Sequence, residues 1–174
     1  MEDKLTDIIL RICEVLNSCS VRYMIVGGSA VALHGFFRWS QSKSGTPTEK
    51  FDLDVWYDPM YPNYFNLLSA LEALGEDVSE FRDEQSPDPH KSFFKFEYEE
   101  FTLDFLPSIG ESSKFRNSYD TRDLINVEGI EIPFINREDL IVNKERQGRP
   151  IDLEDVSQLK KLRKSDSTDD VDFR

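Results

Sequence analysis

A chain of 174 residues is long enough for one well-buried core and short for two. Hydrophobic residues at 39% and aromatics at 12% exclude a disordered chain, and a formal net charge of −13 disfavours spontaneous binding to a phosphate backbone. No apolar run is long enough to span a bilayer and no signal-peptide pattern opens the chain, so a cytoplasmic protein without membrane partners is expected.

Residues 3–18 read as an amphipathic helix, with Leu5, Ile8, Ile9, Ile12, Val15 and Leu16 at helical spacing and Asn17, Ser18 and Ser20 at its end. Cys13 and Cys19 lack the Cys-x-x-Cys spacing and have no His nearby, so reduced thiols are expected and zinc is not. Tyr23–Val26 is an apolar run of strand length. It stops at Gly27-Gly28-Ser29, after which residues 30–35 have helical composition. A strand, a glycine turn and a helix N-terminus together suit a phosphate. Glycine lets the backbone approach an anion, and the free N–H groups and dipole end attract it. A tight packing turn would use the same glycines, and both readings stay open here.

Residues 36–50 form a long polar loop carrying Arg38, Lys43 and Lys50. It delivers the chain to Phe51-Asp52-Leu53-Asp54-Val55-Trp56-Tyr57, a strand by strict alternation. Phe51, Leu53, Val55 and Tyr57 share one face, and Asp52 and Asp54 share the other. Carboxylates side by side repel, and a hard divalent cation is the usual partner for such a pair. Alone the pattern is weak, since Asp170-Val171-Asp172 repeats it in a charged tail.

A helix is expected over 61–74, with Phe65, Leu68, Leu71 and Leu74 on one face and Gly75 as its stop, followed by irregular chain over 76–91. Residues 92–98 and 101–106 read as a hairpin turning at Glu99-Glu100. Asp104 is a single acid in the apolar second strand. It is either an edge carboxylate facing solvent or a third acid converging on Asp52 and Asp54. A polar loop over 108–119 carries Lys114 and Arg116. A second hairpin follows, 124–127 with 130–135, turning at Glu128-Gly129, where Pro133 suggests an edge strand. Asn136 caps a helix with Glu138 and Asp139 in its first turn, then Leu140, Ile141 and Lys144, and Gly148 breaks it. The last helix spans 152–162 with Leu153, Val156 and Leu159 on one face. One domain over 1–163 and a charged, disordered tail over 164–174 complete the expectation. His34 reads as a core or rim histidine and His90 as a loop residue.

In this order the motifs resemble the nucleotidyltransferase superfamily, the fold of the DNA polymerase beta catalytic domain and of kanamycin nucleotidyltransferase. The small bacterial members, minimal nucleotidyltransferases and AbiEii-type toxins, look most similar. Gly27-Gly28-Ser29 matches the family's Gly-Ser turn, Asp52-Leu53-Asp54 its Asp-h-Asp, and Asp104 its third acid. Ile132-Pro133-Phe134-Ile135, Leu140-Ile141, Lys144 and Arg149-Pro150-Ile151-Asp152-Leu153-Glu154-Asp155 match a further bacterial element. There are departures. The loop before Asp52 is longer than in most relatives, Lys50 replaces a threonine usual two positions before Asp52, and a large helical second domain of the toxins has no counterpart.

The resemblance implies an α/β (α+β) nucleotidyltransferase fold, a mixed twisted sheet flanked by helices with C-terminal helices. It implies transfer of a nucleoside monophosphate from an NTP, ATP first, to a hydroxyl acceptor on a small molecule, a protein or a tRNA. Asp52, Asp54 and Asp104 would be catalytic and hold Mg²⁺ or Mn²⁺. Gly27, Gly28 and Ser29 would hold phosphates, and Lys144 would touch the nucleotide, although a solvent-facing helix lysine fits that position equally. For Asp152 the sequence favours a helix N-terminal acid. An antitoxin or a second copy is the implied protein partner, while the charge argues against tRNA. Two alternatives stay open: a catalytically inactive module of this fold that binds nucleotide or protein, and a metal-dependent phosphohydrolase.

Overall fold

The computed structural model describes residues 2–36, 50–111 and 113–166, and Arg38, Lys43 and the chain from 167 onward lie outside them. The elements run α1 (Glu2–Ser18), β1 (Tyr23–Val26), α2 (Gly27–Leu33), β2 (Phe51–Tyr57), α3 (Tyr61–Ala73), α4 (Ser79–Asp83), β3 (Phe94–Glu97), β4 (Phe101–Leu106), α5 (Phe115–Asp120), β5 (Asp123–Val127), β6 (Ile130–Phe134), α6 (Arg137–Gln147) and α7 (Pro150–Asp166). One mixed sheet holds all six strands in the order β3-β4-β2-β1-β6-β5. β2 runs parallel to β4 and antiparallel to β1, and β1 runs parallel to β6. This is the mixed, helix-flanked sheet expected, and no described helix is long and apolar enough to cross a membrane.

Strand β2 is central and shows why. Phe51, Leu53, Val55 and Tyr57 are all buried, as the alternation requires. Trp56 breaks the polar face: it is buried, its Nε1 donates to Pro107 O at 3.3 Å, and its ring meets Phe115 edge-on. The second face of β2 is therefore covered at its C-terminal end and polar at Asp52 and Asp54. α2 packs on β1 and β2, α1 packs on β6 and α3, and α6 packs on both α2 and α7.

Five expectations are corrected. The irregular stretch after Gly75 contains α4, and the loop before Asp123 contains α5. Both are too short to show helical periodicity. Strand β6 is interior, despite Pro133. The turn at Glu128-Gly129 has positive φ at both residues (54° and 84°), so Val127 and Ile130 form a hydrogen-bonded pair and Pro133 turns its nitrogen away from β5. Ile135, two residues on, donates its N–H to Ile25 O at 3.0 Å, which fixes the same phase. The missing donor thus falls where β1 and β6 share a single registered pair, Ile25 and Phe134. In α7, Leu153 is 52% exposed, and the buried stripe is Asp152, Asp155, Val156 and Leu159. That helix also continues through Asp166.

Candidate active site

The register of β2 with β4 pairs Asp54 with Asp104 and Asp52 with Thr102. The register of β4 with β3 adds Lys95 opposite Asp104 and Glu97 opposite Thr102. Two rows of polar residues therefore cross the sheet, Asp54-Asp104-Lys95 and Asp52-Thr102-Glu97. Asp104 lies on an inner strand, which excludes the solvent-facing edge carboxylate. Its side chain is 19% exposed, Lys95 Nζ stands 3.9 Å from Oδ2, and Oδ1 is buried with no hydrogen-bond partner.

Strand β1 delivers the glycine turn to the same place, because Val26 pairs with Asp54. Gly27 has φ +65°, and a Cβ built on it would lie 2.2 Å from Asp54 Oδ2. The anion this glycine accommodates in the protein itself is Asp54. Val26, at the N-cap of α2, offers no side-chain acceptor to the helix N–H groups. Ser29 is buried and its hydroxyl donates to Asp52 O at 2.5 Å, tying α2 to β2. The Asp52 carboxylate accepts from Thr102 Oγ1 at 2.6 Å. Lys50 Nζ reaches Tyr98 O at 2.9 Å.

Burial raises the pKa of Asp54 to about 6, with further upward pushes from Asp104 and Asp52 and a partial counterweight from Lys144 and Arg149. Burial also raises Asp104, against a lowering pull from Lys95 and with added upward pushes from Asp52 and Glu97. A hard cation fits this arrangement. Two adjacent carboxylates crowd one another, and an orphaned carboxylate oxygen on Asp104 lies beside them. Among the described residues, no three Asp, Glu, His or Cys side chains close into a ready cation cage. Asp52 is bonded to Thr102 instead.

Lys144 is neither solvent-facing nor free. It is 2% exposed, with Nζ 3.0 Å from Asp152 Oδ1 and 3.0 Å from Asp155 Oδ2, and both acids are fully buried. Arg149 closes the cluster, its Nε donating to Asp152 Oδ2 at 2.6 Å. Asp152 also accepts from the Arg149 backbone N–H at 3.2 Å, so it keeps the helix N-terminal role while serving the lysine. Burial would raise its pKa, but the bonds from Arg149 and Lys144 carry it below the usual carboxylate range. The sequence did carry a signal for this cluster. Asp152, Asp155, Val156 and Leu159 follow the i, i+3, i+4, i+7 stripe of a buried helix face. His34 stands apart from the carboxylates: it is part-buried, its Nε2 donates to Ile135 O at 2.9 Å, and burial lowers its pKa.

A central Asp-x-Asp strand, a glycine turn abutting it and a third acid on the parallel neighbour are set in a nucleotidyltransferase fold. Two solved structures carry that likeness. A lincosamide antibiotic adenylyltransferase, LnuA, with lincomycin bound, aligns with a TM-score of 0.54 at 19% identity, over 93% of this chain and 98% of that one. An antigenic nucleotidyltransferase-like protein from Paracoccidioides brasiliensis aligns with a TM-score of 0.52 at 18% identity, over 92% and 77%. No protein-family model matches the chain, and no curated protein matches its sequence.

Proposed function

We propose that this chain is a metal-dependent nucleotidyltransferase that moves a nucleoside monophosphate, AMP from ATP first, onto the hydroxyl of a small molecule. The observation that supports it is the placement of Asp54 beside Asp104, at the end of the Gly27 turn, with one Asp104 oxygen buried and unpartnered. The choice of acceptor leans on the likeness to an adenylyltransferase with an antibiotic bound. A protein side chain ranks behind it. A tRNA acceptor, and with it AbiEii-type kinship and an antitoxin partner, ranks last because the chain carries −13. A reaction that consumes NTP belongs in the cytoplasm, where Cys13 and Cys19 stay free thiols, as they are here.

In this reading Asp54 and Asp104 hold Mg²⁺ or Mn²⁺, and Asp52 joins them by leaving Thr102. The cation would neutralise charge on the triphosphate and on the attacking and leaving oxygens. The chain's own residues do the rest. With no side-chain cap from Val26, the N–H groups of Gly28 and Ser29 would be the donors offered to the phosphates. Asp104 takes the proton of the acceptor hydroxyl, and burial, which raises its pKa above the usual carboxylate range, makes it a stronger base for that task. The acceptor oxygen bonds to the α-phosphorus as the bond to pyrophosphate breaks. Lys144 and Arg149 supply fixed positive charge behind Asp54.

Calorimetry of ATP binding, with and without Mg²⁺, on the wild type and on Asp54→Ala/Asp104→Ala tests this. Binding that needs Mg²⁺ and vanishes in the variant supports the site, and pyrophosphate release with hydroxylated small molecules then identifies the acceptor. No binding of any of the four NTPs with Mg²⁺ or Mn²⁺ would falsify it. The second reading is an inactive nucleotide- or protein-binding module. It is favoured by the engagement of Asp52 with Thr102 and of Lys144 with its two aspartates. It predicts ATP binding without pyrophosphate release.

A further inference from the structure

Strand β5 ends the sheet, and among the described residues nothing pairs with its outer side. Among the described residues its side chains are largely exposed on both faces, with Asp123 Oδ2 4.0 Å from His34 Nε2 at one end. Asp123, Leu124, Ile125 and Asn126 are all exposed, Leu124 at 48% and Ile125 at 39%. Native edges of this kind are usually short, charged or covered, because an open apolar edge templates pairing with another strand. Here the single charge, Asp123, sits at one end.

The phase of the hairpin says which groups are offered. Val127 and Ile130 flank a two-residue turn and bond to each other, so Asp123, Ile125 and Val127 turn their backbone groups toward β6. The N–H and C=O groups of Leu124 and Asn126 point outward. They lie on either side of Ile125, and an antiparallel second copy centred on Ile125 matches them. Leu124 meets Asn126 of the second copy and Asn126 meets Leu124, each pair exchanging both bonds, about four in all. Ile125 meets Ile125 at a non-hydrogen-bonded position, where side chains approach most closely. Asp123 falls opposite Val127, and the two Asp123 residues stand about 14 Å apart along the strands, beyond the screening length of about 8 Å at physiological salt. A parallel arrangement would instead bring like residues, Asp123 included, alongside one another.

We propose that β5 is a self-association edge, through which two copies join their sheets by antiparallel pairing about Ile125. The strand contact is smaller than a standard interface of about 1,600 Å², and each copy carries −13, so the dimer is weak and strengthens with salt.

Sedimentation of the full chain over a concentration series, at low and at moderate salt, gives the first test. A reversible dimer favoured by salt is expected. Leu124→Pro removes only an outward N–H, a change an edge strand tolerates, and should weaken the dimer about thirtyfold by deleting about half the bridging bonds. Circular dichroism checks that the variant stays folded. Ile125→Cys is the positional test. The two Cα atoms would lie about 4.5 Å apart, within disulfide range, so mild oxidation should yield a covalent dimer. Leu124→Cys, which faces Asn126, should crosslink far less. A chain that is monomeric at every concentration and salt overturns the proposal and leaves the edge to a strand of another protein. So does a dimer indifferent to folded Leu124→Pro, or one that Leu124→Cys crosslinks as well as Ile125→Cys.

Discussion

Gly27 and Asp54 contest one volume: the space a side chain would need on the glycine is filled by an oxygen of the aspartate, 2.2 Å from the Cβ position. The glycine is required twice, since its φ of +65° is also costly for any residue with a Cβ. Gly27→Ala should lose about 1–2 kcal/mol from the backbone alone, and more from displacing Asp54. Urea denaturation would measure the loss. ATP calorimetry should show weaker binding in the fraction that remains folded.

The crowding of carboxylates predicts a trade between stability and function. A carboxylate whose pKa is raised on folding stabilises the protein below its unfolded value, and that contribution is lost as pH rises through the folded value. For Asp54 the window runs from about 4 to about 6. Wild-type stability should fall with rising pH across it. Asp54→Asn should flatten that slope and gain up to about 3 kcal/mol at pH 7. Mg²⁺ should raise the melting temperature of the wild type but not of Asp54→Asn. A variant that is no more stable than the wild type at pH 7 would show that the carboxylate is already compensated in the apo protein.

Lys144 is the mirror case, a buried cation between two buried anions. Lys144→Met strands Asp152 and Asp155 away from their shared partner and should cost about 3–5 kcal/mol. Asp155→Asn leaves the Lys144–Asp152–Arg149 contacts intact and should cost clearly less. Chemical denaturation of the two variants side by side decides this. Equal losses would mean that Asp155, not Asp152, carries the lysine.

Thr102 competes for Asp52. The 2.6 Å bond from its hydroxyl holds the carboxylate on Thr102. Thr102→Val removes that bond at little cost to the fold, since the position is an intermediate one on the polar side of β4. If Asp52 must turn to meet the cation, Mg²⁺-dependent ATP binding should tighten about tenfold or more, the equivalent of one hydrogen bond to a charged group. Thr102→Ser should behave as wild type. Weaker binding in the valine variant would instead make Thr102 a support that keeps Asp52 in its working position.

Much of the sheet was legible because period-two alternation is a strong signal. β1, β2 and β4 begin and end where the sequence puts them. What alternation cannot show is partnership. Asp104 reads as an ambiguous acid until the parallel pairing of β2 with β4 is known, because that pairing joins strands separated by two helices and another strand. The burial of Lys144 and Asp152 was hidden for a related reason. A solvent-facing lysine and a helix N-terminal acid both fit when each residue is taken singly, and only their mutual pairing makes burial tolerable. Leu153 was assigned to the core because apolar residues alone were used to define the helix face, while the true stripe includes two acids. Thr102 was missed because its bond to Asp52 depends on the same pairing of β2 with β4, which no local pattern shows.

The parallel pairing of β2 with β4 also fixes when the carboxylates first meet. No stretch of chain that stops short of Leu106 holds the complete pair of strands. A polypeptide emerging from the ribosome passes β1, the glycine turn and β2 with Asp54 beside Asp52 but not yet beside Asp104. The repulsion between Asp54 and Asp104 arises at one event, when β4 docks against β2, and the burial of Leu53, Val55, Leu103 and Phe105 in that same event offsets it.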